Sequence, residues 1–205
     1  VKNRMADWDA SVEKLLQKYA DESQTNEFLH RRSYYRYKTL TTWFNMPIIV
    51  LSALSGSLQF LSKGYPKIEQ ILITGTASLS ILTAILSATS SYLKIGESMS
   101  KHEAASNAWL LFYNNLKHQL ALARPLRENA TEFLADVKNQ YDRLFELSPI
   151  CSSAMIATTK KTIAVNASAF FETPTYLNGF KHTVVYGADR ADSSSDDEKY
   201  ETNSV

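Results

Sequence analysis

Apolar residues follow several distinct patterns along this chain. Near the N-terminus Trp8, Val12, Leu15, Leu16 and Tyr19 recur at helical spacing among Asp7, Glu13, Lys14 and Lys18, which predicts a short amphipathic helix within residues 1–24. Residues Asp21–Asn26 interrupt that pattern. No charged residue occurs from Thr39 through Ser62 or from Gln70 through Leu93, and each of these 24-residue runs is long enough to span a bilayer. Beyond the second run Ala105, Trp109, Phe112, Leu116 and Leu120 resume an amphipathic stripe with no Pro or Gly cluster in between. One helix is therefore expected from Gln70 to about Ala123, roughly 80 Å at 1.5 Å per residue. Pro125 ends it. Asn129 and Glu132 then offer a capping box for a helix whose core face is Phe133, Leu134, Val137, Tyr141, Leu144 and Phe145, stopping before Pro149.

These elements predict an all-α membrane protein, a two-transmembrane helical hairpin with long helices extending into a cytosolic helical bundle. The two-transmembrane domain covers about 25–160, with spans at about 39–62 and 70–93 and cytosolic helices at about 94–123 and 130–147. Residues 150–172 are mildly apolar and rich in Ala, Ser and Thr, and take no firm assignment; 161–188 form a C-terminal extension with mixed strand and turn character from Thr173. Residues 189–205 read as a disordered acidic tail, since they lack apolar surface to offset ordering entropy. Ser193, Ser194 and Ser195 lie beside acidic residues there, in a phosphorylation context or simply a solubilising one.

Composition adds exclusions. The 44% hydrophobic content and net charge of +1 give no broad basic footprint, so no nucleic-acid partner is expected. The lone Cys151 makes no intrachain disulfide. No cleavable signal peptide is expected, because the first apolar run lies near residue 40. The lipid bilayer is the first expected partner.

The stretch HRRSYYRYK leads into the first span, so Arg31, Arg32, Tyr34, Tyr35, Arg36 and Lys38, with Trp43, Tyr65 and Tyr92, are candidate membrane-interface anchors. Interleaved Arg and Tyr also suit RNA stacking, but their place beside an apolar run favours headgroup contact. Gly64, Tyr65 and Pro66 supply turn chemistry between the spans. Basic residues are denser on the outer flanks than in this loop, which predicts both termini in the cytoplasm. Pro47 is a potential kink, and Ser52 with Gly56 a small-xxx-small packing pair.

On the second span Thr76, Ser80, Thr83, Ser87 and Ser90 fall in one narrow helical arc, and Ile71, Leu79, Ile81, Leu82, Ile85 and Leu86 occupy the broad face. Glu69 and Lys94 bracket the stripe as candidate pore-mouth charges. The hydroxyls either line a narrow aqueous path or turn inward to bond carbonyls and neighbouring helices. A lone hairpin leaves the stripe in lipid, so a homo-oligomer is expected. Trp109, Phe112, Leu116 and Tyr141 are candidates for packing within or between the cytosolic helices.

The Arg/Tyr-rich approach, the tight hairpin at Gly64–Pro66, the helix carrying Ala105 and Trp109, and FLADVKNQYDRLFELSP ending at Pro149 together resemble the SLATT family over roughly residues 25–160. These are two-transmembrane proteins found beside SMODS nucleotide-signalling enzymes or SLOG sensor domains. The resemblance implies a membrane effector with input from a nucleotide signal or a sensor protein. The expected function is an oligomeric pore or ion channel gated through the cytosolic helices, the alternative being a non-conducting scaffold of a cellular or viral membrane. No enzyme is expected, because nucleophile motifs and phosphate-cradling loops are missing. His30, His102, His118 and His182 show no metal spacing in the sequence, so no metal and no cofactor are expected.

Overall fold

The computed structural model describes residues 8–166. Its elements are α1 (Ala10–Ser62), α2 (Glu69–Tyr92), α3 (Ile95–Ala121), a single 3₁₀ turn (Arg124–Leu126), α4 (Ala130–Leu147) and α5 (Ser153–Asn166), with no strand among the described residues. The acidic tail, His182 and most of the C-terminal extension lie outside the described residues.

Asp9 starts α1 by accepting the Ala10 backbone N–H on its side chain at 2.7 Å. The helix then runs 53 residues without a break at Asp21–Asn26, so the N-terminal helix and the first apolar run are one element rather than two. The reason lies in its packing. Covered positions on α1 step alternately by four and three residues: Leu16, Ala20, Ser23, Glu27, His30, Tyr34, Tyr37, Thr41, Phe44, Ile48, Leu51, Ser55, Leu58 and Ser62. That 3.5-residue repeat is a coiled-coil seam, and it continues through residues whose polarity hides it in the sequence. Ser23 and Thr25 donate their hydroxyls to the carbonyls of Tyr19 and Asp21, one turn back, so their burial leaves no hydroxyl stranded. Pro47 removes one intrahelical donor, yet α1 continues past it.

The chain reverses at Gly64, whose N–H donates to Leu61 at 3.0 Å, and Ile68 closes a second turn on Tyr65 at 3.1 Å. Both α2 and α3 return along α1. Cross-helix contacts fall in register as antiparallel packing requires: Ser55 meets Ser80, Thr41 meets Met99, His30 meets His102 and Glu27 meets Ser106.

The expected single helix from Gln70 to Ala123 is broken. Lys94 adopts the left-handed conformation, φ 48° and ψ 38°, between the end of α2 and the start of α3. The covered seam of α2 is Leu72, Thr76, Leu79, Thr83, Leu86 and Ser90. Continued at the same four-three spacing, its phase would turn Glu97, Ser100, Ala104 and Asn107 toward α1. The break advances the phase by one to two residues, and Ile95, His102, Ala105, Trp109, Phe112 and Leu116 are buried instead. Burying these side chains in place of Glu97 and Asn107 outweighs the roughly 1–2 kcal/mol cost of a left-handed non-glycine residue.

Below the break, α1, α3 and α4 form a three-helix bundle. Its core contains Leu16, Ala20, Trp109, Phe112, Leu116, Phe133 and Val137, with half-buried Tyr141 packed against them. Trp109 is fully buried, donates from Nε1 to Ser148 Oγ at 2.8 Å, and meets Tyr141 edge-on with centroids 5.5 Å apart. Tyr141 donates to Glu22 at 2.6 Å. Asn129 caps α4 by accepting from Thr131 and Glu132 backbone N–H groups. Residues Ser153–Asn166, unassigned from sequence, form α5, which lies against α1, buries Met155 and Thr159, and receives an Arg32 hydrogen bond on Thr162 at 3.2 Å.

Above the break nothing comparable exists. α2 has no buried residue, and Trp43, Phe60 and Tyr92 are 74%, 81% and 86% exposed. Both α1 and the α2–α3 unit contain a stretch long and apolar enough to cross a membrane, and none of the residues in those stretches is buried within the chain.

At the far end of the bundle, Glu13 accepts from Arg124 and Arg127, and the Arg127 guanidinium lies 4.8 Å from the Trp8 ring centroid. Trp8 Nε1 donates to the Glu128 carbonyl at 2.9 Å. The hydrogen bonds from Arg124 and Arg127 hold the Glu13 carboxyl down at about 2.

Two predictions follow from these contacts. Substituting Lys94→Gly raises the melting temperature relative to Lys94→Ala in detergent, since glycine relieves about 1 kcal/mol of left-handed strain; an unbroken helix would reverse the sign, because glycine costs a helix interior about as much. For Glu13 the folded pKa lies below its unfolded value, so its stabilisation is present above the ordinary glutamate pKa and is lost as pH falls toward 2. Proteolysis of the N-terminal end of α1 should therefore accelerate between pH 4.5 and pH 2, with a smaller change in Glu13→Gln over the same window.

Candidate functional site

Two polar features stand out in a chain whose remaining polar groups are mostly solvated. The first lies between α1 and α2. The α2 seam alternates apolar and hydroxyl positions, Leu72, Thr76, Leu79, Thr83, Leu86 and Ser90. An open groove of ≈ 420 Å³ runs between the two helices, lined by Ile48, Ser52, Ser55, Ser80, Thr83, Ala84 and Ser87. Ser55 Oγ and Ser80 Oγ share a hydrogen bond at 3.2 Å across it.

The candidate stripe divides when placed in three dimensions. Ser80, Thr83 and Ser87 line the groove, whereas Thr76 and Ser90 are half-covered in the α2 seam. Leu79 and Leu86 lie in that seam too, and Leu82 faces outward. Thr76 and Thr83 donate their hydroxyls to the Leu72 and Leu79 carbonyls, each at 2.8 Å. Sequence spacing identified the α2 wall and marked Ser52 only as a packing partner of Gly56, because the placement of Ser52 and Ser55 opposite α2 depends on the register of the hairpin.

The bracketing charges are unlike one another. Glu69 stands exposed in the first turn of α2. Lys94 occupies the break, 3.9 Å from Glu97, which also pairs with Lys101 at 2.6 Å. Among the anchor candidates, Tyr35, Trp43, Tyr65 and Tyr92 are exposed, as are Arg36 and Lys38. Lys38 lies over the half-covered Tyr34 ring, 5.6 Å from its centroid. Arg31 pairs with Glu27 at 3.3 Å, and Arg32 bonds Thr162 of α5. Arg32 therefore ties α1 to α5, whereas the Arg31 pair lies within α1. Trp109, Phe112 and Leu116 are spent in the intrachain core, with Tyr141 beside them.

The second feature was not legible in the sequence. His30 on α1, His102 on α3 and Cys151 in the α4–α5 connection converge, their potential ligand atoms all within 4.8 Å of one another. His30 Nδ1 lies 3.0 Å from His102 Nδ1 and 3.6 Å from Cys151 Sγ. Tyr37, one heptad beyond His30, stacks on His102 with centroids 5.4 Å apart. His102 is therefore buried in the bundle core, where the sequence placed it on a polar face or pocket edge. Burial, with a smaller contribution from His102, pushes His30 down to about 4. Burial alone lowers His102 and also pushes the Cys151 thiol up, against a counteracting contact from Ser33. Ser33 donates to the Leu29 carbonyl at 2.9 Å and sits 3.8 Å from Cys151 Sγ.

Comparison with family models, curated proteins and solved structures finds no match.

Proposed function

We propose that the chain is an integral membrane protein whose hairpins assemble into a homo-oligomeric, ion-conducting effector, with the hydroxyl groove facing the conduction path. The carrying observation is that α1 and α2 form an apolar hairpin with no core of its own, scored by a hydroxyl-lined groove. Lipid accommodates the outward leucines and isoleucines, but Ser52, Ser80 and Ser87 are better served by water or neighbouring helices. Copies arranged with grooves inward satisfy both demands. Glu69 and Lys94 would then supply the field at opposite ends of the path, and α3 would transmit a bundle rearrangement to α2 through the Lys94 break. The SLATT resemblance supplies the expected input, a nucleotide signal or a sensor protein.

A dry scaffold is the second reading. It is favoured by Thr76 and Thr83, whose hydroxyls already have carbonyl partners in their own helix.

Reconstitution into planar bilayers separates the two. A pore gives a defined conductance, and cysteine at Ser80 or Thr83 in a Cys151→Ala background permits block by a small water-soluble thiol reagent. Cysteine at Leu82 does not. A scaffold gives no conductance under any of these conditions.

Orientation follows from the basic flanks, which put both termini in the cytoplasm. Asn129-Ala130-Thr131 and Asn166-Ala167-Ser168 match the glycosylation acceptor pattern. Expressed through a eukaryotic secretory membrane, both remain unmodified; glycan addition at either one reverses the orientation.

A further inference from the structure

We infer that His30, His102 and Cys151 form a binding site for a zinc-like divalent transition metal, clipping together α1, α3 and the α4–α5 connection. The inference is independent of whether the hairpin conducts.

Three observations carry it. First, the donor set is right: two imidazoles and one thiolate suit a borderline-soft divalent ion, and three protein ligands leave a fourth position for water or an incoming group. Second, the two separations that involve His30 fit such a site, and the third donor pair lies within 4.8 Å. Tetrahedral geometry with ordinary Zn–N and Zn–S lengths places two nitrogens about 3.3 Å apart and a nitrogen and a sulfur about 3.6 Å apart. The observed separations are 3.0 Å for the two Nδ1 atoms and 3.6 Å from His30 Nδ1 to Cys151 Sγ. Third, the two histidines are pre-positioned by rigid elements. His30 and His102 occupy facing seam positions, each 3% exposed, and Tyr37 stacks on the His102 ring.

The chemistry balances without a further reactant. In the metal-free pair one Nδ1–H donates a hydrogen bond to the other, unprotonated Nδ1, since two unprotonated or two protonated nitrogens would repel at 3.0 Å. On binding, both imidazoles stay neutral with their protons on Nε2, and the Cys151 thiol releases one proton to solvent as its sulfur joins the metal. Burial, which disfavours charged imidazole, keeps the ligand form of both histidines dominant at neutral pH.

The site has a structural consequence. His30 lies nine residues before the uncharged run that begins at Thr39, about 14 Å along α1. A bound ion would hold the ends of the bundle nearest the apolar hairpin in fixed spacing, and its loss would free the α4–α5 connection from α1.

The test uses the full chain, purified metal-free in detergent and titrated with Co²⁺ and then Zn²⁺. The expected result is uptake of one Co²⁺ per chain with the visible bands of tetrahedral cobalt and a near-ultraviolet thiolate-to-cobalt transition, all displaced by Zn²⁺. Because the sequence holds a single cysteine, that transition reports Cys151 without any substitution. Cys151→Ala abolishes it, and both Cys151→Ala and His102→Ala lower affinity at least about tenfold. Zn²⁺ raises the melting temperature of the unsubstituted chain more than that of Cys151→Ala. Saturating Co²⁺ without a thiolate transition in the unsubstituted chain overturns the proposal, whatever the variants do; so does equal Zn²⁺ stabilisation in Cys151→Ala, which would locate the ion elsewhere.

Discussion

A helix keeps one face against a left-handed supercoiled partner over many turns when its covered positions repeat every 3.5 residues, and α1 meets that condition from Leu16 to Ser62. Everything else is arranged along this strip. α2 packs on its C-terminal half, α3 on its N-terminal half, α4 completes the bundle against α1 and α3, and α5 lies against α1 alone. Because the same seam serves both halves, its composition sets the character of each layer: hydroxyl and aliphatic residues beside α2, then His30, Glu27 and Ser23, then Ala20 and Leu16 beside the aromatic core.

The left-handed Lys94 is the adjustment that lets one strip serve two partners. An unbroken return helix would carry the α2 phase into α3 and turn Glu97 and Asn107 toward α1, while Trp109 and Phe112 would lose their burial. A phase shift of one to two residues corrects this at the cost of local strain, and it puts the change at the junction between the apolar hairpin and the bundle. That junction is where a movement of the bundle would reach α2. The His30, His102 and Cys151 cluster lies close to it, on the bundle side.

The two halves thus have different physical chemistry in a single continuous frame. The bundle is closed by Trp109 packing, the Trp109–Ser148 hydrogen bond and the Glu13–arginine pairs, and it buries apolar side chains as a water-soluble domain does. The hairpin leaves most of its large apolar side chains outward, and its groove is lined by small and hydroxyl groups together with Ile48. In the proposed bilayer setting, helix packing and hydroxyl contacts such as Ser55–Ser80 would replace the hydrophobic effect as the source of association for a hairpin with no buried residue in α2.

Charge-free runs, turn residues at Gly64–Pro66, the Asn129 cap and the aromatic periodicity of α3 and α4 were enough to read an all-helical chain with two apolar helices of membrane-spanning length, because each is a local signal. The hydroxyl arc on α2 was legible for the same reason. What required tertiary structure was every feature set by register between helices. The α1 seam passes through Ser23, Glu27 and His30, so its polar members read as an interruption until α3 supplies their surroundings. Lys94 carries no sequence mark of a break, since the strain is stabilised by burial of residues many turns away. His30, His102 and Cys151 are separated by 72 and 121 positions from one another along the chain, and only antiparallel pairing of α1 with α3 and the return of α4 bring their donor atoms within 4.8 Å. Sequence alone determined the elements whose causes lie within a few residues; the fold decided which of their faces meet, because that choice belongs to the summed packing of several helices.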